Sequence, residues 1–165
     1  ESQRVTTSDI GSVEEIEKWA LYEGAEVSYM ELISQFRCNG SDGYLAWLDN
    51  VLEIRETANY DIKDIDYDIR ICDTPNEVRD IVVEKNSSPN HARLLAGYCW
   101  NWLKEGKNNS NVHDIRIGDF EMSWNLGNTS TYAIDDESIN EVGCIHTSQG
   151  LEFDYVGVII GEDMR

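Results

Sequence analysis

The sequence predicts an α/β fold, a mainly parallel sheet with helices on its faces, and three stretches carry that prediction. Val142–Gly161 reads VGCIHTSQGLEFDYVGVIIG: two apolar strand-like runs, Val142–Ile145 and Tyr155–Ile160, on either side of a polar, glycine-bearing bend. Between Tyr67 and Cys99, an alternating run, a capped helix start and an apolar run follow one another as strand, helix and strand. That order makes a βαβ unit, with parallel pairing and a right-handed crossover. Two amphipathic patterns, one after Ser12 and one after Ser41, supply further helices for the faces.

With 165 residues and 41% hydrophobic content, the chain reads as one domain, or a piece of a larger one, with enough apolar mass for a core. It has no run of about 18 apolar residues, so no membrane span is expected. The opening ESQRVTTSD lacks the basic-then-apolar layout of a signal peptide, and a cytoplasmic location is expected. Net charge is −19, and such a surface repels a duplex at long range; any nucleic acid must be held by a small local site or by a neighbouring domain. Cys38, Cys72, Cys99 and Cys144 form no CxxC pair, which fits buried free thiols. The Asn-x-Ser/Thr sequences at Asn39, Asn86, Asn108 and Asn128 read as products of Asn-rich loops.

Taken in order, the elements follow from local chemistry. Ser12-Val-Glu-Glu15 is a capping box, after which Ile16, Trp19 and Ala20 recur at helical spacing and Gly24 stops the helix; one buried stripe is expected. Glu26–Ile33 alternates enough for a short strand. Asn39–Gly43 is a turn from which Ser41 or Asp42 caps a helix packed on the sheet, with Tyr44, Trp47, Leu48, Val51 and Leu52 on one face. Trp47 is read as core rather than as a base-stacking platform. Asp61, Asp64, Asp66 and Asp68 invite a calcium loop, but counting from Asp64 the sixth and twelfth positions are Ile69 and Pro75, and the motif fails. Tyr67, Ile69 and Ile71 alternate with polar residues as a half-buried strand.

Thr74-Pro75-Asn76-Glu77 is the strongest helix start in the chain, and its helix ends before Pro89. Ala92–Cys99 is long and apolar enough for a buried central strand. Trp100 and Trp102 share a face if that strand continues; packing on the next segment is the default, nucleic-acid stacking the alternative. Lys104 and Lys107 are the nearest approach to a basic patch. Ile115–Ile117 and Phe120–Trp124 read as short strands or an irregular insertion. His91, His113 and His146 make no metal spacing, and no metal site is expected.

Chemistry concentrates in the bend. Strand, bend and strand in so few residues place it at a sheet rim, where open α/β sheets bind ligands at the carboxyl ends of strands. His146, Thr147, Ser148 and Gln149 supply donors, Gly150 permits a close approach or a positive φ, and Glu152 and Asp154 add carboxylates. From the residues alone this is either a ligand site or a tight, well-capped connection.

HTSQGLEFDYVGVII resembles motif V of superfamily 1 helicases: a Thr, then Lys/Gln-Gly-Leu-Glu-Phe-Asp and an apolar strand. SQFRCNGSDGYLAWLDNVL (Ser34–Leu52) and RLLAGYCWNW (Arg93–Trp102) are similar to the Schlafen-like DNA/RNA helicase domain, long catalogued as a domain of unknown function. The resemblance implies the second RecA-like (P-loop NTPase-like) lobe of a helicase or translocase. ATP and Mg2+ would then lie between this lobe and a first lobe carrying the phosphate loop, which this sequence lacks. By the same resemblance Gln3 and Arg37 face the γ-phosphate as catalytic residues, where a planar guanidinium suits the developing charge. Gly150 and Glu152 lie near the nucleotide, Glu152 on the ribose or the metal-water network. His146 and Thr147 touch the backbone of a single strand of DNA or RNA. Gln149 stands where many relatives have Lys, which weakens the contact expected there.

The chain stops at Arg165, before an Arg-rich motif VI, and reads as a truncated C-terminal lobe, residues 1–165, inactive alone. Two rivals remain: a non-enzymatic helicase-like module whose acidic surface docks a basic protein partner, and a regulatory ATPase fused to a nuclease.

Overall fold

A computed structural model describes residues 12–30, 41–63, 65–87, 89–127 and 130–162. The chain divides into two compact units, residues 1–69 and 70–165.

In the first unit, α1 (Val13–Tyr22) begins where Ser12 Oγ accepts from the Glu15 N–H at 3.0 Å, and Gly24, at φ 74°, follows its end. The expected buried stripe does not form: Ile16 and Trp19 are exposed, because no described layer of this unit covers them. Residues 26–30 are not strand, and 31–33 lie outside the described residues. Extended backbone needs a partner for its N–H and C=O groups, and the described part of this unit has no other strand. α2 (Asp42–Val51) is capped by Ser41 Oγ, which accepts from the Tyr44 N–H. Tyr44 stacks on Tyr67 at 4.2 Å between centroids and 11° between planes, with Trp47 6.1 Å away. Tyr67 is thus spent on α2, Ile71 is exposed, and the strand expected over Tyr67–Cys72 is absent. The βαβ unit predicted from it is therefore not made.

The second unit holds the core. α3 (Pro75–Lys85) starts as its sequence predicts: Thr74 Oγ1 accepts from the Glu77 N–H, and Glu77 reaches back to the Asp73 N–H at 3.1 Å. The strands are β1 (Ala92–Ala96), β2 (Ile115–Ile117), β3 (Phe120–Trp124), β4 (Glu141–Gly143) and β5 (Tyr155–Ile159), and the helical turn α4 (Ile145–Ser148) lies between the last two. Their sheet runs β2-β3-β4-β1-β5, antiparallel only between β2 and β3 and parallel elsewhere. The α/β class with a mainly parallel sheet and flanking helices is as predicted, in a form compatible with a RecA-like domain. β1 is an interior strand between β4 and β5, with Leu94 opposite both Val142 and Gly157. Gly157 is required there by α3: a Cβ would lie 2.6 Å from Val78 and 2.7 Å from Val82.

A buried arginine fastens the sheet to the connection after β3. Arg93, 1% exposed, donates from Nε to the Tyr132 carbonyl at 2.9 Å and from Nη2 to that of Asp135 at 2.8 Å. Its Nη1 serves Asn86 Oδ1 and the Ala92 carbonyl. Loss of hydration pushes its pKa down from the ordinary value, but arginine keeps its charge under such shifts. Tyr132 OH donates to the Leu94 carbonyl at 2.7 Å, and burial raises the phenol pKa.

Candidate functional site

Topology relocates the bend. β4 and β5 both run parallel to β1 on its two sides, so their connection must cross from one rim of the sheet to the other. The bend does not sit at a single rim as the sequence implied, because the short spacing gave no information on strand direction. α4 occupies the carboxyl rim, directly after β4. The far end of the connection reaches the amino rim, where Asp154 Oδ2 accepts from the His91 N–H at 2.7 Å and the Asp154 N–H donates to the His91 carbonyl.

Val142–Ile145 is only partly strand, since β4 ends at Gly143 and Ile145 opens α4. Thr147 explains the change. Its Oγ1 accepts from the Cys144 N–H at 3.3 Å, lies 3.1 Å from Cys144 Sγ, and donates to Asn125 Oδ1. Asn125 is buried just beyond β3, in the left-handed region at φ 52°, and its N–H donates to the Val142 carbonyl. Thr147 therefore points into the protein and locks the turn, while His146 beside it is exposed. Gly150 takes φ 85°, which favours glycine, and has open space where a Cβ would stand. Glu152 is also exposed. Gln3 and Arg37 lie outside the described residues.

An aromatic group borders α4 on the same rim. β1 ends at Ala96, not Cys99, so Trp100 and Trp102 leave the strand and do not share its face. Tyr98 packs edge-on against buried Trp124, 5.2 Å between centroids, with its ring 6.0 Å from that of His146. Its hydroxyl donates to Cys144 Sγ at 3.7 Å. Burial first, then that sulfur, raises the phenol pKa to about 12.

Sequence reasoning missed Tyr98, Asn125 and the Arg93 network. For Arg93 a signal was present: a charged residue inside an apolar central strand must find buried partners. Asn125 carried no local sign, since its partner lies 22 positions away.

The described residues include no group of three His, Cys, Asp or Glu side chains able to hold a metal ion, and no helix long and apolar enough to cross a membrane. A family model described as Schlafen group 3, DNA/RNA helicase domain, matches residues 1–165. Among curated proteins, the chain is 24% identical over 149 residues to the "Uncharacterized protein YPL245W" of Saccharomyces cerevisiae, covering 81% of this chain and 32% of that protein. The chain thus spans about a third of the length of that relative. No solved structure matches it.

Proposed function

The chain belongs to the Schlafen group 3 DNA/RNA helicase domain family, and from that premise we propose that it supplies one wall of an ATP site and part of a single-strand track. Its whole protein would then be a nucleoside-triphosphate-driven helicase or translocase acting in the cytoplasm. The observation that best supports this reading is the β4–β5 connection. It presents a glycine in the left-handed region and an exposed carboxylate immediately after a helical turn whose position is fixed by Thr147.

In this reading Gly150 lets backbone approach the nucleotide and Glu152 accepts from the ribose hydroxyls. Gln3 and Arg37 face the γ-phosphate, Arg37 neutralising charge as the terminal bond breaks. The Mg2+ that accompanies the nucleotide would take its protein ligands mainly from the first lobe; the described residues include no group of three His, Cys, Asp or Glu side chains able to hold it. His146 meets the strand directly. Thr147 acts through it, because its hydroxyl is already engaged with Cys144 and Asn125. Lobe closure would couple hydrolysis to movement.

Titration of the full-length protein with a fluorescent ATP analogue tests the nucleotide wall. Glu152→Ala weakens binding if the reading holds; unaltered binding removes Glu152 from the site. The same titration on the isolated 165 residues should give no tight binding, since this sequence contains no G-x-x-x-x-G-K-[ST] phosphate loop.

The net charge of −19 favours one alternative, a non-enzymatic module that docks a basic protein partner. A folded full-length protein without nucleic-acid-stimulated ATP turnover would support it.

A further inference from the structure

We propose that Tyr98 and Trp102 form a platform on which bases of a single nucleic-acid strand stack, with Lys104 and Lys107 meeting its phosphates. The proposal rests on the nucleic-acid reading above and names the residues that would hold the strand. Both rings pack against the same support: Tyr98 lies 5.2 Å from Trp124 and Trp102 5.6 Å from it. Trp124 is buried, whereas Tyr98 is 47% and Trp102 46% exposed. A ring held on one side and open on the other has lost part of its rotamer freedom before any ligand arrives, so stacking on it costs less.

One carboxylate fixes the arrangement. Asp114 Oδ1 accepts from the Leu103 N–H at 2.8 Å and its Oδ2 from the Trp124 N–H at 3.1 Å, which joins the segment after Trp102 to the end of β3. The buried Trp124 Nε1–H has no acceptor among the described residues.

Local charge suits a strand here. Lys104 and Lys107 are exposed, lie shortly after Trp102 in the chain, and pair with no acid among the described residues. In a chain of net charge −19, they offer phosphates a local cationic contact, with the exposed Glu105 between them. His146, beside Tyr98, extends the platform toward α4.

The test is fluorescence anisotropy of the full-length protein, at fixed salt, with labelled oligo(dT) of about twelve nucleotides and an abasic strand of equal length. Tyr98→Ala and Trp102→Ala each weaken oligo(dT) binding about ten-fold. Tyr98→Phe and Trp102→Phe keep it within roughly two-fold, because a ring remains. None of the four changes binding of the abasic strand, a selectivity that a folding defect would not produce. Alanine variants that bind oligo(dT) like the wild type overturn the platform and leave the wider reading standing. Equal losses on both strands overturn it as well. A wild-type protein that binds neither strand overturns the platform and the nucleic-acid track together.

Discussion

The Thr147 hydroxyl donates to the side-chain oxygen of Asn125, and both residues are buried. This bond ties the turn after β4 to the end of β3, so the exposed His146 and the glycine beyond it are carried on a fixed base. Thr147→Val keeps the shape and deletes the hydroxyl. It leaves the Cys144 N–H and Asn125 Oδ1 without this partner, at a cost of about 1–3 kcal/mol. Denaturant unfolding measures that loss. Thr147→Ser, which keeps the hydroxyl, loses less.

The Arg93 guanidinium serves three backbone carbonyls and Asn86 from a buried position. Lysine has one donor head and cannot span them. Arg93→Lys is expected to lower unfolding free energy by about 2 kcal/mol, and Arg93→Met by about 3 kcal/mol or more, since several acceptors are stranded. A midpoint within experimental error of the wild type for both would show that the network carries little stability.

Packing between α3 and β5 leaves no room at Gly157. A Cβ there would also lie 2.8 Å from Leu94, so Gly157→Ala forces strand and helix apart at about 1–3 kcal/mol. Val78→Ala opens space on the helix side. The double variant should recover part of the loss, read as a positive coupling in a double-mutant cycle.

Burial raises the pKa of Glu141, although its Oε2 accepts from the Gly127 N–H at 3.1 Å. The sign follows directly: a carboxyl whose folded pKa exceeds its unfolded one stabilises the fold fully below the unfolded pKa. That contribution is lost as pH rises through the folded pKa. Glu141→Gln removes this dependence. The stability of the variant relative to wild type should therefore climb as pH rises from the ordinary glutamate range toward neutrality, measured by urea unfolding across that interval.

What the sequence disclosed divides by the range of the interaction. Thr74, Pro75 and Glu77 placed α3 because capping is settled within four residues, whereas Ile115–Ile117 and Phe120–Trp124 read equally as strands or an irregular insertion until their pairing made them β2 and β3. Tyr67–Cys72 failed as a strand because alternation says nothing about a partner, and Tyr67 had a better one in Tyr44. The crossing from β4 to β5 was invisible, since direction is decided by pairing to β1, about 50–60 positions earlier. The helicase resemblance put Thr147 on the nucleic-acid backbone; its inward orientation depends on Asn125 and could not be read locally.

The central claim is that the β4–β5 connection forms part of an ATP site whose other wall is a first lobe. Nucleic-acid-stimulated ATP hydrolysis by the full-length protein, compared with Arg37→Ala and Glu152→Ala, tests it most directly. The account predicts stimulated turnover in the wild type, a loss on the order of a thousand-fold for Arg37→Ala and a smaller loss for Glu152→Ala. Wild-type turnover retained by both variants would contradict it.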